Sequence, residues 1–237
     1  MNVLVEVNPL RVKPEEVSGL QVALNVVDYI KGNWGRSLPE LAIELEEYEP
    51  VTIKVPTPRK IKDFIRIMEL ANYLNLSEVI IRPPRGNVDE FLDAAAEYNI
   101  VLSWFINFKT SIPPVPPPHR ISLTVDAPSF KGLRRLLEFL LPNLNIVRFI
   151  YAHNIKNGKG GYPLMNGPID YLKIMRILTA LGWGGATVLS YRDEFTVNYR
   201  NDVNALKAFI ESAGSTVLDK GTMRMLNSIM KRLMGNS

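Results

Sequence analysis

The residues best able to do chemistry follow short apolar runs in the chain. Asp126 comes directly after ISLTV, and His153 and Asn154 come after FIYA. A carboxylate and an imidazole are groups that enzymes use to move protons near neutral pH. We therefore treat Asp126 and His153 as a candidate acid/base pair. Structural alternatives remain open: Asp126 can cap a helix that starts near Pro128, and His153 can bond a loop carbonyl.

Positively charged side chains occupy the same kind of position. Arg82 and Arg85 precede a predicted helix N-terminus near Asn87, where free N–H groups and the helix dipole favour an anion. The candidate ligand-binding residues are Arg82, Arg85, Lys109, Asn154, Lys156, Arg192 and Glu194. Together they predict a phosphate or carboxylate ligand. Solvated loop charges are the alternative, as is a surface ion pair for Glu194 with Arg192 or Arg200.

Composition limits the class of protein. The chain has 237 residues, 46% of them hydrophobic, which is enough for one large core. It has no cysteine, so disulfides, iron–sulfur clusters and thiolate zinc sites are excluded. Apolar runs are shorter than the roughly 18 residues of a membrane span, and we expect neither a membrane segment nor a signal sequence. Rare glutamine and 17 prolines suggest a thermophile, and we expect a cytoplasmic location.

The elements that must position these residues alternate. Short runs rich in β-branched or aromatic residues predict strands at 3–7, 20–27, 51–55, 78–82, 100–106, 121–125, 146–152 and 186–190. Helical patterns lie between most of them, one after Ser37 and others at 58–75, 87–98, 128–141, 168–181 and 201–213. This alternation predicts a single α/β domain over 1–237, a (β/α)8 barrel. An open doubly wound sheet is the competing fold.

Three segments depart from the alternation. Residues 9–19 are too few for a full helix, so the helix after strand 1 should be short or missing. Residues 107–120 carry five prolines within 113–118, which forbid a helix after strand 5 and predict an extended connector. A docking site for an aromatic-lined groove is the alternative reading of that segment. Residues 215–237 predict a C-terminal helical extension that covers the barrel or a partner subunit.

Several segments of the sequence resemble those of the xylose-isomerase-like barrels, which include sugar-phosphate isomerases and epimerases and endonuclease-IV-type enzymes. The resemblance extends over about residues 60 to 212. The similar segments are FIRIMELANYLNLSEVIIRPPRG at 64–86, IVLSWFIN at 100–107, ISLTVDAPSF at 121–130, IYAHN at 150–154, NGPIDY at 166–171 and LGWGGATVLS at 181–190. The resemblance implies a TIM barrel. It also implies a divalent metal held by carboxylates and imidazoles at the strand ends.

The metal ligands that the resemblance implies are mostly replaced. Ile106, Ser129, Tyr151 and Ser190 fall where the family has a glutamate, two histidines and a final glutamate. Asp126 alone is kept. With only His119 and His153 in the chain, a three-zinc endonuclease site cannot be built. We therefore expect no complete metal site and no other cofactor, a divalent ion at Asp126 being the open alternative.

Three functional hypotheses follow. The first is a degenerate sugar-phosphate isomerase/epimerase-like barrel that binds a small phosphorylated or carboxylated sugar-like ligand, its chemistry carried by acid and base side chains. The second is a catalytically inactive barrel that serves as a binding or assembly module. The third is an endonuclease-IV-like DNA-repair protein, although we do not expect nucleic acid as a partner. A homo-oligomer formed through the C-terminal helix is the other expected association.

Overall fold

The computed structural model describes residues 1–84, 88–213 and 218–235. Eight strands form a closed barrel in the order β1, β2, β3, β4, β5, β6, β7 and β10, with parallel pairing. Their bounds are β1 Asn2–Val7, β2 Val22–Asn25, β3 Pro50–Lys54, β4 Glu78–Ile81, β5 Val101–Ile106, β6 Ile121–Asp126, β7 Val147–Ala152 and β10 Ala186–Leu189. The predicted (β/α)8 barrel is therefore confirmed, and the open sheet is wrong.

Helices lie between most of the strands. They are α1 Pro14–Val17, α2 Val27–Asn33, α3 Leu38–Glu46, α4 Ile61–Tyr73, α5 Val88–Glu97, α6 Leu133–Asn143, α7 Tyr171–Ala180, α8 Tyr199–Ala213 and α9 Lys220–Gly235. Two 3-10 helices span Ala127–Phe130 and Asp193–Asn198. Within the described ranges, no helix is both long and apolar enough to cross a bilayer. Two compact units make up the chain: Leu4–Val125, and Met1–Val3 with Asp126–Ser237.

In the unit Leu4–Val125, the predicted short and missing helices are confirmed. α1 is a single turn after β1, and no helix interrupts residues 107–120 between β5 and β6. One face of α4 is buried, as its apolar spacing predicts, and Phe64 on α4 meets Phe91 on α5 edge-on at 4.8 Å. The strand predicted at 20–27 is too long, because α2 begins at Val27 despite its β-branched start.

In the unit that starts again at Asp126, two predictions need correction. The helix predicted at 128–141 is a 3-10 turn followed by α6, because Lys131 is left-handed (φ 54°) and Gly132 has φ 145°. The loop predicted after His153 contains an antiparallel hairpin, β8 Asn154–Lys156 and β9 Lys159–Tyr162. Its turn has left-handed Asn157 and Gly158, a dipeptide that favours two-residue hairpins.

The C-terminal helix α9 belongs to the same unit. Its Leu226 and Ile229 are buried against Leu137 of α6 and Ile177 of α7. The rest of the helix surface is polar or exposed, and it includes the exposed side chains of Met223, Met230 and Met234. α9 therefore covers two barrel helices of its own chain, and association with a partner subunit through this helix stays a prediction.

Candidate functional site

Three side chains from non-neighbouring strands meet inside the barrel. The Lys54 ammonium on β3 lies 2.9 Å from the Glu6 carboxylate on β1 and 4.5 Å from the centre of the Phe105 ring on β5. Strands β2 and β4 separate these three strands, so their side chains can touch only across the interior. Glu6, Lys54 and Phe105 therefore form one inner layer near the carboxyl ends of alternate strands, where TIM barrels place their active sites.

Glu6 and Lys54 were not among the predicted site residues, although the sequence contains a signal for both. Each is a charged residue near the end of an otherwise uncharged strand, VLVEV or VTIK. Their side chains are only 11% and 21% exposed. A charge that a strand buries needs a partner or a task, since removal from water is costly. Reading these strands for charged interruptions would have identified both residues.

A cleft of about 410 Å³ lies at the ends of β4 and β5. Its lining residues are Arg82, Pro83, Pro84, Phe105, Asn107, Lys109, Thr110, Ser111 and Pro113. The described lining thus carries two cations, an aromatic ring and hydroxyl groups, and it has no carboxylate. Arg82 and Lys109, both predicted to bind a ligand, are brought together here. Arg85, predicted with them, lies outside the described residues.

Local turns position the two cations of the cleft. The Asn107 side chain accepts a hydrogen bond from the Lys109 N–H at 2.9 Å, and Thr110 N–H donates to the Asn107 carbonyl at 2.9 Å. This tight turn holds Lys109 just beyond β5. At the end of β4, Thr57 donates to the Arg82 carbonyl at 3.0 Å, and the following prolines keep the chain extended. Both cations stay exposed to solvent.

The second group of candidates lies in the unit that begins at Asp126, around the Tyr171 hydroxyl. Tyr171 is 2% exposed; it donates to the His153 carbonyl at 2.7 Å and accepts from the His153 N–H at 3.2 Å. Burial raises the pKa of Tyr171 well above its usual value, and the nearby charge of Asp126 adds to the increase. The predicted acid/base residues thus lie close to the same neutral hydroxyl. Their catalytic roles stay a prediction.

Asp126 and Asp170 begin helices in different ways. Asp126 stands at the N-cap of the 3-10 helix but makes no side-chain capping bond, while Ser129 donates to its carbonyl at 2.7 Å. The capping alternative for the Asp126 carboxylate therefore lacks the hydrogen bond that defines it. By contrast, Asp170 accepts from the Lys173 N–H at 2.9 Å and caps α7.

Asn154 is fully buried and bonded to the main chain. Its amide donates to the Ile169 carbonyl at 3.1 Å and also to the Leu164 carbonyl at 2.5 Å. Its side-chain oxygen accepts from the Ile169 N–H at 3.0 Å. These bonds connect β8 to the segment before α7. The contact predicted between Asn154 and a ligand stays a prediction.

Arg192 fixes the hairpin to the segment after β10. Its Nε donates to the Gly160 carbonyl at 2.8 Å, and its guanidinium lies 5.0 Å from the centre of the Tyr162 ring. Glu194, which is exposed, lies 3.9 Å from the guanidinium, so the surface ion pair considered from sequence is present. Lys156 is exposed on β8 and pairs in register with Lys159. A ligand role for these charges stays a prediction.

The fold does not supply metal-binding side chains near the positions where the resemblance implies them. Phe105 points inward, so strand alternation places Ile106 on the outer face of β5. The resemblance puts a glutamate at position 106. The residues next to that position that face inward are Phe105 and Asn107. On β10, Thr187 lies 3.1 Å from Met175 of α7 and therefore faces outward. The next residue, Val188, then faces inward, and so does Tyr151 of β7, which pairs with Val188. None of these inward groups is an acid or an imidazole.

Two further observations concern the side chains that could bind a metal. No group of three or more His, Cys, Asp or Glu side chains close enough to share an ion occurs among the described residues. His119 lies 3.1 Å from Asp93 on α5, and so it belongs to the helix layer. The residues present therefore do not fit the divalent-metal site that the resemblance implies.

Solved structures share this architecture. The chain is similar to a xylose isomerase domain protein from Planctomyces limnophilus, with a TM-score of 0.62 and 12% identity over 89% of this chain and 96% of that one. It matches an L-ribulose 3-epimerase with a TM-score of 0.57 and 12% identity, over 100% and 98%. For a D-allulose 3-epimerase from Methylomonas sp. the values are 0.56, 12%, 90% and 94%.

These likenesses show the fold. No protein-family model matches the sequence, and no curated protein is similar to it in sequence. The chain has a (β/α)8 barrel fold similar to that of these proteins, as the resemblance in sequence predicted.

Proposed function

We propose that the chain binds a small phosphorylated or carboxylated sugar-like ligand in the cleft at the ends of β4 and β5. The observation that carries the proposal is the pairing of Arg82 with Lys109 along a described lining that has no carboxylate. Two cations in that setting favour an anion, and guanidinium binds phosphate with particular geometric fit. The Phe105 ring beside them suits the apolar face of a sugar.

The sugar class comes from the structural neighbours. Two of them are 3-epimerases of ketoses, and one structure contains D-allulose. A ketose phosphate satisfies both this class and the charge of the cleft. As an isomerase/epimerase-like barrel without a fitting metal site, the chain would carry out its chemistry with acid and base side chains. The sequence candidates for that role are Asp126 and His153.

Calorimetric titration with D-fructose 6-phosphate, D-fructose and inorganic phosphate tests the binding. We expect the two phosphates to bind and raise the melting temperature, and D-fructose at the same concentration to do neither. Arg82→Ala/Lys109→Ala should lose at least about tenfold in affinity for D-fructose 6-phosphate, since a hydrogen bond to a charged group contributes about 1.5–3 kcal/mol. Lys207→Ala, which removes an exposed cation from α8, is the matched control and should bind normally.

Two results would contradict the proposed function. One is the absence of any phosphate-dependent stabilisation in the wild-type protein. The other is undiminished affinity in the double variant. Elemental analysis of the purified protein adds an independent check: a stoichiometric divalent metal would contradict the conclusion that the residues present do not form the family's metal site.

A further inference from the structure

The inner layer of the barrel contains an ion pair that stability does not explain. In TIM barrels, branched apolar side chains dominate these layers. Replacing a buried ion pair by well-packed apolar residues is often neutral or stabilising, because desolvation offsets the attraction between the charges. Glu6 and Lys54 nevertheless lie 2.9 Å apart with most of each side chain buried. Stability alone therefore gives little reason for this pair, which favours a functional role.

The Phe105 side chain lies beside both the ion pair and the proposed ligand cleft. Phe105 lines the cleft, and its ring centre lies 4.5 Å from the Lys54 ammonium. Phe105 is thus common to the cleft and the ion pair, and the inference requires that a ligand bound through its phosphate at Arg82 and Lys109 reach past this ring. The assignment of the reacting groups rests on the proposed function for its ligand.

We propose that Glu6 and Lys54 catalyse a metal-independent proton transfer that interconverts a ketose phosphate and an aldose phosphate. The Glu6 carboxylate removes a proton from C1 of the ketose, the C–H electron pair forms the C1–C2 double bond, and the carbonyl electrons move to the C2 oxygen. The Lys54 ammonium stabilises that oxyanion and donates a proton to it. Glu6 then returns its proton to C2 while the C1 hydroxyl gives its proton to the neutral Lys54 amine, which forms the aldose carbonyl and restores both the carboxylate and the ammonium.

The number of bases selects the reaction. In the proposed reaction Glu6 is the single base of the layer formed by Glu6, Lys54 and Phe105, so the proton leaves and returns on the same face of the enediol. Same-face transfer between neighbouring carbons gives aldose–ketose isomerisation. Epimerisation at C3 needs a second acid on the opposite face of the carbon. The geometry therefore favours isomerisation, although two structural neighbours are 3-epimerases.

Solvent exchange tests this assignment directly. D-Fructose 6-phosphate and D-ribulose 5-phosphate are incubated with the protein in D2O and followed by proton NMR. We expect deuterium at C1 of the ketose and formation of the aldose phosphate. Glu6→Gln and Lys54→Met should each slow exchange by about 100-fold or more, while Lys207→Ala should exchange at the wild-type rate.

A double variant guards against loss of folding. A single substitution leaves an uncompensated charge, whereas Glu6→Gln/Lys54→Met removes both charges and should remain folded by circular dichroism. It should still bind inorganic phosphate through the cleft yet show no exchange at C1. Phosphate binding without C1 exchange in the wild-type protein would overturn this inference and leave the proposed function standing. Exchange only at C3, or C1 exchange that survives in the double variant, would also overturn it. Failure of the wild type to bind any phosphate would refute the proposed function and this inference with it.

Discussion

A buried tyrosine links the segment before α7 to α8. The Tyr191 hydroxyl donates to Asp202 at 2.6 Å and accepts from the Leu164 N–H at 3.2 Å, while its ring stacks on Tyr199. Burial raises the pKa of Tyr191 far above 10, and the hydrogen bond and charge of Asp202 raise it further. Tyr29 and Tyr171 also have pKa values raised first by burial.

This environment predicts how stability responds to alkaline pH. In the unfolded chain Tyr191 titrates near 10, whereas in the folded protein it stays protonated. The stabilising contribution is therefore complete below pH 10 and is lost above it, at up to about 1.4 kcal/mol per pH unit. Urea unfolding at pH 8, 10 and 11 should show a free energy of unfolding that falls above pH 10. The decrease should be shallower in Tyr191→Phe.

The same substitution should also lower stability at pH 8 by about 1–3 kcal/mol, because it leaves buried partners unsatisfied. Tyr73→Phe, at a half-exposed position on α4, is the matched control and should follow the wild-type pH dependence. Parallel curves for Tyr191→Phe and the wild type would show that Tyr191 makes no contribution to the alkaline loss.

Single residues show the limits of prediction from sequence. Arg82 and Lys109 were predicted because cations after a strand end gather at one end of a barrel. Asn154 follows a strand in the same way, yet its amide is turned onto the main chain, which the sequence pattern cannot reveal. Glu6 and Lys54 each carry a signal in their strands, but their pairing could not be predicted, because partners 48 positions apart in the chain become neighbours only when the barrel closes.

At the scale of elements, the hairpin β8–β9 depends on glycine at a packed position. Gly161 has φ +85°, and a Cβ there would lie 2.7 Å from Arg192 Cγ. Gly158 has φ +73° but faces open space. Alanine at either position adopts a left-handed backbone at a cost of about 1–2 kcal/mol. Only the alanine at 161 also pushes against the arginine that holds the hairpin.

We therefore expect Gly161→Ala to lower the free energy of unfolding more than Gly158→Ala does. Amide hydrogen exchange over residues 154–162 should accelerate more in Gly161→Ala, since the bond from Arg192 to the hairpin is disturbed. Gly184→Ala, without left-handed φ and without a neighbour within 4 Å, is a further control. Equal losses at 158 and 161 would show that contact with Arg192 does not stabilise the hairpin.

Elements were predicted well where a long periodic pattern exists and poorly where short signals compete. α4 has several turns of apolar periodicity and agrees with its prediction to within a few residues. α2 was missed because its start, VVDY, continues a β-branched run. The hairpin was taken as a loop although Asn157-Gly158 is a recognised turn signal, because its strands are only three and four residues long and β9 contains two glycines.

At the scale of the whole molecule, the alternation of strands and helices was sufficient to predict the closed barrel. Eight predicted runs match the eight barrel strands, and the proline-rich connector leaves the strand order intact. The sequence could not predict which side chains point inward, since a shift of one residue reverses every side chain of a strand. That is why Ile106 was compared with a metal ligand while Phe105 is the residue that faces the interior.

The central claim is that the cleft at the ends of β4 and β5 binds an anionic sugar. Its most direct test is a 1H–15N NMR titration with D-fructose 6-phosphate, which reports where the ligand binds. We expect saturable shifts at the amides of Arg82, Asn107, Lys109, Thr110 and Ser111, and in Arg82→Ala/Lys109→Ala the shifts at residues 107, 110 and 111 should need at least about tenfold more ligand to saturate. Shifts centred on residues 156–161 and Arg192, or no saturable shifts, would contradict it.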